Sequence, residues 1–380
     1  MTTQNPAEQV AAKAAGSGQQ GSGELHVVVG AGPIGSGVAR LLAARGHRVR
    51  LVTRSGSGPA RIAGESAAAG PSAARSGARG SGAAGAGVAG PGAAEPGAID
   101  ALAADASDAP AMARLTDGAT AIYNCANPPY HRWPELWPPI ADALLGAAER
   151  NGPVLVTISN LYGYGPASRS LGTPGYDAEH PMTESTPLAA TGRKGMVRAR
   201  MWEQALAAHQ AGQVRAVEVR ASDYVGPGAG SALGDRVVPR VLQGKAVTVL
   251  GRADRPHTWT YTGDVARLAV AAAAEPAAWG RAWHTPSGPA LTQRDAVADI
   301  ARAAGRAPVP VRTVPSSVLW LAGLTSTLMR ELRETQYQFS QDFVMDSAAA
   351  RRAFGLEPTP WSEVLDALLR SFGWSGPERK

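Results

Sequence analysis

The chain has one cysteine, Cys125, four lysines and four phenylalanines among its 380 residues. A single thiol cannot close an internal disulfide, and with seven dispersed histidines it gives no ligand spacing, so a metal site is not expected. Runs of like charge are missing too. The net charge is +6, but the basic residues are scattered arginines without an aromatic stripe, which argues against nucleic acid as a partner. No apolar stretch approaches the roughly 20 residues of a membrane helix, and the first residues lack the basic-then-apolar order of a secretion signal. A cytoplasmic protein without a membrane partner is the expectation. What the chain does have is alanine, glycine and arginine in abundance, the bias of a GC-rich genome, and an apolar content of 44%, enough for two lobes.

Residues 1–23 are polar and aperiodic and predict a disordered tail. A second stretch, about 55–98, is almost wholly Ala, Gly, Ser and Pro and offers too little bulky apolar surface to offset ordering entropy, which predicts a flexible insertion. Elsewhere a short apolar strand at 25–29 and further strand candidates at 49–53, 119–125, 154–159, 214–220 and 246–250 alternate with helical patterns at 34–44, 135–149 and 195–211. This order predicts an α/β fold, a Rossmann-type doubly wound parallel sheet over 24–280. The remainder, 281–380, reads as a small, mainly helical substrate region with strands at 282–285 and 309–313 and helices at 293–304, 316–329 and 362–372.

Between the first strand and first helix stands Gly30-Ala-Gly32-Pro33-Ile34-Gly35, a G-x-G-x-x-G turn. Gly30 suits the tight bend, Gly32 lets a pyrophosphate approach the backbone and Gly35 lets helix and strand close up, with the helix N-terminus supplying amide donors. At the end of the second strand Arg54 stands where an acidic residue would bind a ribose 2′-hydroxyl. An arginine suits a 2′-phosphate, so NADP is favoured over NAD. The alternative is that Arg54 caps a solvated strand end. Asp105 is placed either to meet the adenine or to cap the helix that begins near Ala109.

These residues, with Tyr123-Asn-Cys-Ala126, Thr157-Ile-Ser159-Asn160-Leu-Tyr162-Gly-Tyr164-Gly165, Arg220-Ala-Ser-Asp-Tyr224 and His257-Thr-Trp-Thr-Tyr261, resemble the extended and atypical short-chain dehydrogenases, the NAD-dependent epimerase/dehydratase family. The resemblance implies an NAD(P)-dependent oxidoreductase or epimerase acting on a small carbonyl or hydroxyl compound, with a homodimer as a common assembly. Ala126 would then lie against the cofactor. The alternative is a protein that binds the dinucleotide without turning it over, as a sensor or a non-redox lyase or isomerase.

Two departures stand out. Val29 replaces the first glycine of the extended members' motif, and the family's Tyr-x-x-x-Lys is absent. In the preferred register Lys194 stands at the tyrosine position and Arg198 at the lysine position. Four residues apart, they share one helix face and would meet one site, where mutual repulsion would depress the Lys194 pKa and make it a usable general acid and a hold on the cofactor ribose. Otherwise both belong to a solvated basic face with Arg193 and Arg200. The family's serine position falls at Asn160, and Ser159 or Asn160 could polarise a substrate carbonyl. Tyr162, Tyr164 and Tyr224 are candidate replacement acids or pocket-wall rings. Tyr130 and His131, in the loop after the fourth strand, are substrate candidates, and His257 is a further one at the domain interface.

Overall fold

In the computed structural model, residues 23–59, 97–167, 175–314, 324, 331 and 333–376 are described. The expected tail apart from Gly23, most of the expected insertion and most of the helix expected over 316–329 lie outside the described residues.

Strands β1 (Leu25–Val29), β2 (Arg48–Thr53), β3 (Ile99–Ala103), β4 (Ala121–Asn124), β5 (Val154–Asn160), β6 (Arg215–Ala221) and β11 (Ala282–His284) form one sheet in the order β11-β6-β5-β4-β1-β2-β3. Every pairing in it is parallel. Parallel strands need crossovers, and those crossovers cover both faces, so the inner strands are buried on both sides: all five residues of β1 are buried. On one face helices α1 (Pro33–Ala44) and α6 (Thr262–Ala274) pack Val38, Leu42, Val265 and Leu268 against Val28, Leu51 and Val219. On the other, α2 (Ala109–Leu115), α3 (Trp133–Asn151) and α4 (Arg193–Gln210) pack Met112, Leu144 and Trp202 against Val27, Val52 and Leu155. The strand order reverses between β1 and β4, and a ligand crevice belongs at the carboxyl ends of those strands.

A second core joins β7 (Asp223–Val225), α5 (Val238–Leu242), β8 (Val247–Leu250), α7 (Gln293–Ala303) and α9 (Trp361–Ser371), through Val225, Val241, Val249, Ile300 and Leu368. The short elements β9 (Pro256–His257), β10 (Trp259–Tyr261), β12 (Leu291–Thr292) and α8 (Ala348–Phe354) lie between these in the chain. The expected boundary at 280 does not coincide with this division. Residues 223–261 leave the sheet for the second lobe, and 262–284 return to it as α6 and β11. The strand expected in the C-terminal region at 282–285 is thus the edge of the main sheet, paired with β6. The strand expected at 246–250 pairs instead with β13 (Val311–Val314) in the second lobe. β3, which carries no clear strand pattern in the sequence, closes the opposite edge.

Behind the sheet's carboxyl edge lies a fully internal polar chain. Glu218 and Arg220 of β6 pair at 2.6 Å, Arg220 Nη1 donates to the Tyr164 hydroxyl at 2.8 Å, and that hydroxyl lies 2.7 Å from His284 Nε2. His284 Nδ1 faces the Asp346 carbonyl at 2.7 Å. A carbonyl only accepts, so Nδ1 carries the proton and Nε2 accepts from Tyr164. Burial, with the nearby Arg220 cation adding to it, holds the His284 pKa down to about 3 against the Asp346 bond. The folded pKa lies below the unfolded one of about 6.5, so the neutral ring's contribution is complete above pH 6.5 and is lost as pH falls toward 3. Unfolding free energies from urea titrations are expected to fall across that window with a slope of up to about 1.4 kcal/mol per pH unit, and His284→Gln to flatten the fall. An unchanged slope in the variant would assign the acid sensitivity elsewhere.

Candidate active site

The glycine turn has the shape its spacing demands. Gly30 sits at φ +104° and donates its amide to Val52 O at 2.9 Å. A β-carbon at Gly35 would stand 1.9 Å from the Gly30 carbonyl oxygen, so only glycine fits where α1 meets the turn. At Gly32, by contrast, a β-carbon meets nothing within 4 Å and enters open space. Gly32 is also the N-cap of α1, with no side chain bonding the end. Pro33 has no N–H, and the amides of Ile34 and Gly35 precede the first intrahelical bond, Ser36 N to Gly32 O at 2.8 Å. The turn is an anion cradle: open at its centre, lined by amide donors and placed at the positive end of a helix.

It opens into a cleft of about 550 Å³ between the lobes. Gly32, Pro33, Ile34, Gly35, Cys125, Ala126 and Asn127 line its sheet side, and Ile158, Asn160, Tyr162, Arg198 and Tyr224 its reacting side. Thr335, Gln338 and Phe339 close it from the second lobe. The Cys125 thiol is pushed up to about 12 by burial and stays protonated at neutral pH.

Arg198 holds the place where the family's lysine is expected. Its guanidinium lies 4.1 Å from the centre of the Trp137 ring and 4.6 Å from that of the Trp133 ring, in the corner made by two perpendicular indoles, and Nη1 donates to Ile158 O at 3.2 Å. Nε is buried without a hydrogen-bond partner among the described residues. Burial lowers its pKa, and Tyr224, Glu218 and Tyr162 oppose the shift. Trp133 is fixed in turn by donating Nε1–H to Pro128 O at 3.1 Å.

Lys194 is not in the cleft lining. It is buried at 1% exposure, its ammonium bonded to the Glu331 carboxylate and, at 3.0 Å, to Glu334 Oε2, and it lies 4.6 Å from the centre of the Tyr130 ring. Desolvation pulls its pKa down, but the two carboxylates outweigh burial and the net shift is upward. The expected depression by Arg198 is therefore corrected: two carboxylates from a distant segment neutralise the lysine, and no proton is available from it near neutral pH. The solvated-face alternative fails as well, because Arg193 and Arg200 are exposed while Lys194 and Arg198 are buried.

The other expected residues divide. Asn160 Oδ1 accepts the Tyr162 amide at 3.1 Å, which turns the strand end and leaves the Asn160 NH₂ group for the cleft. Ser159, on the opposite strand face, is buried outside the lining. The Tyr162 hydroxyl is 3.2 Å from that of Tyr130, which is 3.1 Å from Thr335 Oγ1. Burial raises both phenol pKa values; the two hydroxyl contacts and Lys194 pull Tyr130 back, whereas the neighbouring Tyr130 pushes Tyr162 higher still. Both stay protonated at neutral pH. Tyr224 lines the cleft but donates its hydroxyl to Ser159 O at 3.0 Å. Tyr164 is corrected to the internal chain described above, with its pKa raised to about 12 by burial. His131 is exposed on the turn Tyr130–Arg132 and outside the lining. His257 is buried outside it too, with Nε2 2.7 Å from Asp223 Oδ2 and its ring stacked on Phe339 and Phe343.

Arg54 and Asp105 are exposed at the ends of β2 and β3, outside the cleft lining. Asp105 does not cap α2: Asp108 does, accepting from Ala111 N at 2.9 Å. Asp105 instead accepts from the Ser107 amide and hydroxyl, and these bonds, with Arg54 adding, hold its carboxyl below the usual range. Missed from sequence were Thr335, Gln338, Asp223 and the Glu331/Glu334 pair. The i, i+3 spacing of the two glutamates was the available signal, since it puts both on one helix face.

No curated protein sequence matches this chain. Among solved structures, the dTDP-glucose 4,6-dehydratase DesIV of Streptomyces venezuelae, with NAD and TYD bound, is similar over 92% of this chain and 96% of its own, with 20% identity and a TM-score of 0.63. The Bordetella bronchiseptica enzyme WbmH in complex with NAD⁺ matches over 93% and 99%, with 16% identity and a TM-score of 0.63. The UDP-glucose 4-epimerase of Thermotoga maritima, with UDP-glucose, matches over 92% and 98%, with 15% identity and a TM-score of 0.64. These likenesses are of fold. The family model for the NAD dependent epimerase/dehydratase family matches residues 26–283, from β1 through β11. A parallel sheet that reverses at β1/β4, an open glycine cradle at that reversal and a family match across all of it make the chain a member of the NAD-dependent epimerase/dehydratase family.

Proposed function

We propose that the chain is an NAD(P)-dependent oxidoreductase or epimerase that acts on a hydroxyl or carbonyl group of a small molecule, with NADP preferred. One observation carries this reading: the glycine cradle and the Asn160, Tyr162 and Arg198 side chains line a single cleft. The residues present fit a dinucleotide. The amides of Gly32, Ile34 and Gly35 would hold the pyrophosphate, Ala126 would lie along the cofactor, the Arg198 guanidinium would meet a ribose hydroxyl, and Arg54 would meet the 2′-phosphate. When bound, the cofactor supplies a site that takes or gives a hydride.

The chain's own residues handle the rest. Asn160, its Oδ1 already engaged, turns NH₂ donors toward the substrate oxygen and polarises it. Tyr162 carries the proton for that oxygen, with Tyr130 and Thr335 continuing the hydroxyl chain behind it. Burial keeps the Tyr162 phenol protonated, so it holds a proton to give to a developing alkoxide. The fixed Arg198 cation stabilises the phenolate left behind, as the family's lysine does for its tyrosine.

The test is turnover of labelled NADPH over a carbonyl panel that begins with the nucleotide-linked sugars held by the structural relatives. Deuterium is expected in the product, and Tyr162→Phe should lower kcat by about 10²- to 10⁴-fold with NADPH affinity unchanged. A full rate in Tyr162→Phe would remove the proton role. Absence of label from every product, with no epimerised product from the same sugars either, would favour a protein that holds the dinucleotide without turnover. Arg54→Glu should reverse the preference between NADPH and NADH.

A further inference from the structure

At the end of the sheet remote from the cleft, the start of β1 and the turn before β2 bring together Glu24, His26 and His47. The two imidazoles are 5% and 2% exposed, and their ring centroids are 4.7 Å apart, edge to face. Glu24 Oε2 lies 3.7 Å from His26 Nε2 and 4.0 Å from His47 Nδ1, beyond hydrogen-bond reach of both. Both His26 ring nitrogens and His47 Nδ1 are buried with no hydrogen-bond partner among the described residues. Buried polar atoms are almost always satisfied, and three orphans in one contact pair call for a missing group.

The donor set names that group. One ligand atom from each residue can be taken so that all three lie within 4.8 Å of one another. A tetrahedral ion with bonds of about 2.1 Å spaces its ligands about 3.4 Å apart, so the ligand atoms close on one another by between about 0.3 and about 1.4 Å to form the site. Two neutral imidazoles and a carboxylate are borderline donors, suited to a zinc-like ion rather than to magnesium or calcium. The Glu24 side chain keeps 40% exposure and leaves an entry path from solvent.

We propose that Glu24, His26 and His47 form a site for a divalent transition ion of the zinc class, with water in the fourth position. The ion ties the first residues of β1 to the α1–β2 turn. It sits about 17 Å, the length of a five-residue strand, from the glycine cradle, so it acts on the stability of the sheet and not on the cofactor. The sequence alone conceals it, because His47 joins Glu24 and His26 only through the fold.

The full chain titrated with Co²⁺ alone is expected to develop the intense visible absorption of a tetrahedral N/O complex, which an equimolar addition of Zn²⁺ abolishes. Zn²⁺ should also raise the melting temperature. Glu24→Gln and His47→Gln should each weaken both ions on the order of 100-fold while leaving NADPH affinity at the parent value. If His47→Gln fails to fold, Glu24→Gln decides, since its side chain is half in solvent. The assignment is overturned if the parent chain shows neither the Co²⁺ band nor the Zn²⁺ shift in melting, or if Glu24→Gln binds either ion as tightly as the parent.

Discussion

Gly32→Ala is expected to melt like the parent chain and to bind dinucleotide about 10- to 100-fold more weakly, whereas Gly35→Ala loses both stability and binding. The contrast follows from two β-carbons. The one at Gly32 touches no protein atom within 4 Å, so the fold does not register it, but it occupies the opening where a pyrophosphate would approach the backbone. The one at Gly35 would overlap the Gly30 carbonyl oxygen at 1.9 Å, and no side-chain rotation relieves a clash between backbone and β-carbon. The α1 terminus must shift, at a cost of about 1–3 kcal/mol or more, and the cradle shifts with it. Paired thermal melts and NADPH fluorescence titrations check both. Unchanged binding in Gly32→Ala would mean that no phosphate sits at the turn, and the enzyme reading would go with it.

The second large effect is expected at Lys194. Lys194→Met leaves Glu331 and Glu334 facing each other without their cation, a loss of about 3 kcal/mol, at the low end for a broken buried pair because both carboxylates keep 22% exposure. Adding Glu331→Gln and Glu334→Gln to Lys194→Met should recover most of it, since polar groups without charge no longer need the ammonium. Urea unfolding of the single and triple variants measures this. A Lys194→Met protein of parental stability but without turnover would return the lysine to the chemistry. The triad also helps to place the cleft wall, because the segment that holds Glu331 and Glu334 continues into Thr335 and Gln338, which close the cleft.

The sheet was legible wherever a strand is buried on both faces. β1, β4 and β5 read as largely apolar runs because helices cover both sides, β2 and β6 as apolar residues interrupted by Arg48 and Arg50 and by Glu218 and Arg220, and the glycine turn read as a turn because its residues are consecutive. β3 was not legible: Ile99-Asp-Ala-Leu-Ala103 is an edge strand of mixed polarity at the end of a low-complexity stretch. β11 was assigned to the wrong lobe because three residues have no period, and its partner β6 lies some sixty residues earlier. The site shows the same split between local and distant information. Lys194 and Arg198 were seen to share a helix face, but what each meets there comes from elsewhere: Trp133 and Trp137 for Arg198, residues near 331–334 for Lys194. Tyr164 looked like an acid in a tyrosine-glycine pattern, yet its hydroxyl lies between Arg220 and His284.

The late arrival of β11 has a consequence for the nascent polypeptide. As the chain leaves the ribosome, six strands of the sheet can pair, but β6 keeps a bare edge of backbone donors and acceptors until residues 282–284 emerge. Most of one wall of the second lobe, residues 223–261, is synthesised inside that interval, so an unprotected strand and a half-built neighbour coexist for the time needed to translate it. A chaperone that shields β-edges would find its substrate there, and a message truncated before codon 282 would encode a sheet open to pairing with its own copies.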